Sequence, residues 1–537
     1  AAESECPNCG NIETEDILHI IEVKVIDNAG LPGTERQISP EEWHERYRKK
    51  MMPGETSRPP VEKLPSSNFV VPGRSSQIRT FFKRNIVRKL ADKQYMTISL
   101  LEVPALALIL AFLSKYSEDG IYLFSANKNY PVFLFMSIIV VLFVGLTVSA
   151  EEIFRDRKIL EREKFLHLSW MSYLISKISF LFALSAIQSL SFLIVANILL
   201  EVRGMIFPQW IILFSTACFG NMLGLNISAG MRSVVSIYIL IPLLLVPMLL
   251  LGGAMIRFDD LHKSISRKIY VPVAGDVMVT RWAYEALMVE EFKSNKFEKP
   301  FFNYDMQISQ NDWYASFLIP ELKAKINECV TAGKEEKYRD YCKMNLRKVK
   351  YHLNELSSIT GIKPGAWLES VNYDDFSGHT GDQVIEYLDS LGFSLRMAIR
   401  EINAEKDALY DQMRMAMGND KLLELREKNY NENLADIVRN TLNKNKILDS
   451  DNRLIQKADP IFMKPGSKFG RAHFYAPYKQ IGDLKIDTLP FNVIIIWLMT
   501  IGLSVTLYFN ILKKFIIFLE SLKLPLWRKF GRGFLQQ

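Results

Sequence analysis

PVFLFMSIIVVLFVGLTVS, residues 131–149, runs from Pro131 to Ser149 without one charged side chain. A helix rises about 1.5 Å per residue, so this run reaches across a hydrocarbon core of about 30 Å. Core helices of soluble proteins rarely stay uncharged for so long. Five other stretches fit the same description: 97–114 upstream, then 168–200, 209–230, 234–256 and, far downstream, 489–512. The chain therefore reads as an all-α membrane protein with six transmembrane helices. The third stretch is too long for a perpendicular crossing and carries Lys177, Gln188 and Asn197. It either begins outside the bilayer, tilts, or turns a polar face to other helices. Pro242 and Pro247 in the fifth each remove a backbone donor and predict a kink.

A mean hydropathy of +0.04 and 23% charged residues look almost soluble because a large polar region dilutes the apolar spans. The net charge of +7 is unevenly placed. Arg74, Arg79, Lys83, Arg84, Arg88, Lys89 and Lys93 precede the first span, and Lys513, Lys514, Lys523, Arg528, Lys529 and Arg532 follow the last. Such flanks orient a protein in lipid rather than bind nucleic acid. Both termini are expected in the cytoplasm, with the chain multi-pass in the cell inner (cytoplasmic) membrane and in contact with its lipids.

Four regions follow. Residues 1–73 form a cytoplasmic segment with a strand candidate at 20–27 and a proline-dotted linker. Residues 74–256 hold an amphipathic helix and spans one to five. Residues 257–488 form a large, mainly helical extracytoplasmic domain, in which Val384, Leu388, Leu395, Ile399, Ile402 and Leu409 recur at helical spacing and suit a hairpin or small bundle. Residues 489–537 carry span six and a cytoplasmic tail. In 75–94, Ile78, Phe81, Phe82, Ile86 and Leu90 alternate with basic residues, as in a helix lying on a membrane surface.

The linker at 150–166 carries a near-balanced charge set: Glu151, Glu152, Arg155, Asp156, Arg157, Glu161, Arg162 and Glu163. One reading is a solvated face held by i, i+4 pairs. The other is a docking surface for a soluble partner that moves the membrane helices. Within the spans, Glu102 needs helices, water or a cation around it, and Lys177 either pairs with it or snorkels to the cytoplasmic interface. Asn197, Asn221 and Asn226 are suited to interhelical hydrogen bonds. Cys329 and Cys342 are candidates for a disulfide in the extracytoplasmic domain. Cys6 and Cys9, in CPNCG, form either half a zinc site, with His19 and His44 as candidate further ligands, or an exposed turn of reduced thiols. No Ser-His-Asp, Cys-His or paired-carboxylate arrangement stands out, so a membrane enzyme has little support.

The order of parts resembles the membrane half of ATP-binding-cassette exporters of the G, or White, type. Local text carries the likeness: FFKRNIVRKLADKQY at 81–95, the charged loop at 155–165 leading into SYLISK at 172–177, and RWAYEALMVEEF at 281–292. The resemblance implies a connecting helix before span one, a coupling helix between spans two and three, and a homodimer of six-span units. It also implies a translocation path, for which Glu102, Asn197, Asn226 and the apolar Leu249, Leu250 and Leu251 are the candidates. No G-x-x-x-x-G-K-[ST] phosphate loop occurs in the sequence. ATP and magnesium would then belong to a separate or upstream ATP-binding domain, as in large fused bacterial polypeptides, and the linker-like beginning favours the fused form. A domain as large as 257–488 departs from many such exporters and leaves room for an extracytoplasmic partner. The competing expectation is a membrane-anchored sensor or binding protein that uses this domain.

Overall fold

A computed structural model describes residues 18, 20–26, 32–51, 72–117, 120, 122–163, 168–262, 264–266, 269–450 and 452–521. Cys6 and Cys9 fall outside them. The chain divides into two compact units, 1–70 and 71–537. In the first, β1 (Lys24–Ile26) pairs antiparallel with β2 (Pro32–Arg36), and α1 (Pro40–Met51) follows. The strand expected at 20–27 thus shortens to three residues.

The second unit opens with α2 (Arg74–Ala91), α3 (Lys93–Ser114), α4 (Tyr130–Ala150), α5 (Glu152–Arg162), α6 (Trp170–Leu200), α7 (Ile206–Gly230) and α8 (Val234–Leu250). Among the described residues, five helical stretches are long and apolar enough to cross a membrane, namely α3, α4 continuing into α5, α6, α7 and a late helix, Thr488–Tyr508. The apolar helix α8 is shorter than the reading to 256. It contains both prolines and stops at Leu250 because Gly252 and Gly253 follow, the latter at φ +85°, a backbone that no right-handed helix continues through.

Helices α4 and α7 form the centre of the bundle, and small residues let their backbones touch. A Cβ on Gly220 would meet the Leu142 carbonyl oxygen at 2.7 Å, and one on Gly224 the Leu146 carbonyl oxygen at 2.6 Å. The polar residues of α6 face neighbouring helices as the sequence allows: Gln188 donates to the Ser99 carbonyl of α3 at 2.8 Å.

Beyond α8 come α9 (Val279–Lys293), α10 (Phe302–Asp312), a π-helical turn (Trp313–Leu318), α11 (Ile319–Ala332), α12 (Arg339–Thr360), the long α13 (Gly378–Met417), α14 (Asn419–Asn429) and α15 (Glu432–Arg439). Two short hairpins follow, β3 (Ile447–Asp449) with β4 (Leu454–Gln456) and β5 (Tyr478–Ile481) with β6 (Leu484–Asp487). Helices α16 (Thr488–Tyr508) and α17 (Ile511–Ser521) complete the described chain. Helix α9 joins the core of the bundle, whereas α11, α12 and α13 enclose a separate core that includes Val384, Leu388 and Leu395. Ile399, Ile402 and Leu409, farther along α13, are only partly covered. Cys329 and Cys342 are both buried in this second core and both free, with Cys329 Sγ 4.0 Å from the Cys342 carbonyl oxygen. The expected bridge is not formed, although the pair is adjacent.

Candidate functional site

Helix α5 is held from two directions. Its first backbone N–H groups have no partners inside the helix. Ser228 of α7 supplies one, its Oγ accepting from Ile153 N at 3.0 Å and Phe154 N at 2.9 Å. Arg157 then reaches the other way, donating to the Met231 carbonyl at 2.9 Å just past the C-terminus of α7, where cations are favoured.

The neighbouring row of α5 residues, Glu152 and Asp156, enters an ion cluster with α2 and α6. Glu152 accepts from Lys89 and, at 2.8 Å, from Lys177. Asp156 accepts from Arg88 at 2.5 Å, from Lys177 at 2.8 Å and from the Tyr173 hydroxyl at 3.0 Å. Asn85 Oδ1 takes a further Lys177 hydrogen at 3.1 Å. Lys89, Glu152, Asp156 and Lys177 are all buried. The hydrogen bond to Asp156 raises the Arg88 pKa further, so this cation persists at any accessible pH. Each buried charge is matched, which is the condition under which such a cluster is tolerated at all.

Helix α2 is built for this contact. It buries Gln77, Phe81, Asn85 and Lys89, a mainly polar stripe at i, i+4 spacing, and leaves Val87 and Leu90 exposed. This stripe turns toward α5 and α6, while Arg79, Lys83 and Arg84 are exposed with Val87 and Leu90, and Ile78, Phe82 and Ile86 are partly covered.

The eight charges singled out in 150–166 separate into two groups. Glu152 and Asp156 are in the cluster, Glu163 pairs with Arg84 of α2 at 2.6 Å, and Arg157 binds the end of α7. Glu151 accepts from Tyr238 of α8 at 2.7 Å and pairs with Arg155. Arg155, Glu161 and Arg162 remain exposed, together with Lys158 and Ile159, as an outward strip on α5. Lys177 serves this cluster rather than Glu102. Glu102 lies partly exposed on α3 and has no ion pair among the described residues. Sequence reading missed Asn85, Lys89, Tyr173 and Ser228. The available signal was the polar stripe 77, 81, 85, 89 on α2.

The candidate path residues do not converge. Asn197 donates to Gln209 Oε1 at 2.7 Å near the start of α7. Asn226, near its other end, donates to the Leu503 carbonyl at 2.9 Å and accepts from Thr506 at 2.9 Å, tying α7 to α16. At about 1.5 Å per residue these two sites are roughly 25 Å apart along α7. Leu249 packs against the core, while Leu250 is exposed.

At the Gln209 end of the bundle, α9 carries a second buried polar system. Glu285 accepts from Lys479 at 2.6 Å and from Asn492 at 2.9 Å, and pairs with Arg281 at 3.2 Å. Burial raises the Glu285 pKa, but Arg281 and Lys479 more than offset this and hold it below the usual range. Burial lowers Lys479 to about 8, against the opposing pull of Glu285, so both groups stay charged at neutral pH. One turn and a half later, Glu291 accepts from Gln209 at 2.5 Å. Burial pushes its pKa up to about 7, opposed by the Gln209 and Tyr130 hydrogen bonds.

Residues 76–292 match the family model described as ABC-2 type transporter. This region, from α2 to α9, is similar to the membrane part of transporters of that type and contains the ion cluster and most of the second polar system. Comparison with curated proteins gives no match.

Proposed function

We propose that the chain is the permease of an exporter that moves its substrate outward by alternating access, driven by ATP hydrolysis in an associated or upstream ATP-binding domain. ATP and magnesium belong to that domain. In this reading α8 serves as the fifth of six crossings, both termini are cytoplasmic at the cell inner membrane, 257–488 lies outside, and two copies enclose the path.

The observation that carries the reading is the division of labour on α5. One side is fixed to α2 and α6 by matched buried charges and to α7 by Ser228 and Arg157. The other side presents Arg155, Lys158, Ile159, Glu161 and Arg162. An ATP-binding domain docked on that strip pushes on a helix with no slack toward the bundle, so its closure is passed to three other helices. A merely solvated helix needs none of these buried attachments.

The test is a photo-crosslinking amino acid in place of Lys158, in protein kept in its own membrane. The expected product joins position 158 to a peptide bearing a nucleotide-binding motif, whether fused or separate. Crosslinks to lipid or solvent alone, in protein that co-purifies with no ATP-binding domain, overturn the proposal.

A further inference from the structure

Where α8 ends, Gly253 and Ala254 open into a cavity of about 660 Å³. That size is within the range of about 300–1,000 Å³ typical of small-molecule sites. The cavity lies on the seam between the two cores, with Tyr284 and Phe474 from one side and Trp313 and Tyr314 from the other. Its floor is fixed. Phe258 and Phe474 meet edge to face at 4.9 Å, and a Cβ on Gly253 would strike them at 2.7 and 2.8 Å.

The charges on the lining are unequally committed. Asp259 is held by Lys457 at 2.8 and 3.0 Å. Glu355 is held by His352 Nδ1 at 2.8 Å. Because His352 Nε2 accepts the Leu454 backbone N–H at 3.0 Å, Nδ1 carries the proton and donates it to Glu355. Asp260 is then the one uncommitted carboxylate among the described lining residues. Arg257, Arg453 and Lys464 line the same cavity, and no described carboxylate pairs with them. Three free cations against one free carboxylate give the opening a positive field over an aromatic interior.

We infer that this cavity binds an anionic amphiphile, a molecule with an apolar body for the aromatic walls and a carboxylate, phosphate or sulfonate for Arg257, Arg453 and Lys464. The inference does not use the transporter reading, and nucleotide is not needed to test it. A bilayer lipid and a free amphiphile both have this chemistry.

The test uses the full chain in phosphatidylcholine nanodiscs, with 11-(dansylamino)undecanoic acid as probe, its methyl ester as neutral control and empty nanodiscs subtracted. The acid is expected to bind at least about tenfold more tightly than the ester, and R257E/R453E to remove that difference by weakening the acid alone. S358W, a bulky side chain on an exposed lining position, is expected to abolish binding of both. Displacement by phosphatidylglycerol placed in the nanodisc assigns the site to lipid, and displacement by dodecyl phosphate alone assigns it to a free amphiphile. Equal binding of acid and ester, or acid binding unchanged in both R257E/R453E and S358W, overturns the inference.

Discussion

Lys177 of α6 and Glu152 of α5 meet at 2.8 Å with side chains only 4% and 5% exposed. Neither charge has water to fall back on. Removing one unbalances the buried cluster, leaving Glu152 with Lys89 alone or Lys177 with Asp156 alone, where breaking a buried pair costs about 3–5 kcal/mol. Lys177→Met and Glu152→Gln are therefore each expected to lower the melting temperature of the purified protein sharply, whereas Lys83→Gln, at an exposed position of α2, leaves it unchanged.

The exposed strip is expected to behave oppositely. E161K/R162E should alter folding stability by no more than about 0.5 kcal/mol, as surface changes usually do. Hydrogen exchange with and without nucleotide reads the consequence. In the parent complex, nucleotide changes protection in α2 and α6; in the variant that change disappears while the melting temperature stays. A nucleotide response of parental size in the variant counts against a coupling role for these residues.

Gly224 has no room for a side chain. A Cβ there would lie 2.0 Å from Ser149 Oγ and 2.6 Å from the Leu146 carbonyl oxygen. Gly224→Val must push α4 and α7 apart, at a cost of roughly 1–3 kcal/mol or more. A loss of monodisperse protein is expected, with Gly502→Val as the comparison, since nothing lies within 4 Å of that Cβ position.

Glu291 gives stability an unusual pH dependence. Its pKa stands at about 7 instead of 4.5. Between those values the folded chain keeps a proton that the unfolded chain has released, so stability falls as pH rises and levels off above about 7. At about 1.4 kcal/mol per pKa unit the fall is roughly 3 kcal/mol. Glu298, also pushed up to about 7 by burial and by neighbouring Asp305, adds a fall of the same sign. Melting temperatures measured from pH 5 to 8 should therefore decline, less steeply in Glu291→Gln and least in E291Q/E298Q. A parental slope in the double variant refutes the assignment.

Features set by local chemistry were legible in the sequence. The uncharged run at 131–149 could only be an apolar helix, and the structure extends it by one residue at each end. Val384, Leu388 and Leu395 were readable as core because one helix face repeats them. Pairings between distant segments were not legible. Lys177 had only Glu102 in prospect as a partner, and the folded placement of α5 beside α6 gives it Glu152 and Asp156 instead. On α2 the sequence sets the apolar residues against the membrane surface, and nothing in it indicates that Asn85 and Lys89 turn inward to meet α5 and α6. The end of α8 was blurred because the apolar text continues to 256 while Gly253 turns the backbone away.

The second polar system also sets an order of events during synthesis. Glu285 and Arg281 leave the ribosome long before their partners, because Lys479 and Asn492 lie 194 and 207 residues after Glu285. Until those residues arrive, α9 holds an ion pair without the ammonium and amide that complete it. Five apolar helices are already made by then, yet the bundle that contains α9 cannot close. The buried network of α9 is thus completed only by segments made about two hundred residues later, and synthesis must reach α16 before Glu285 has all its partners.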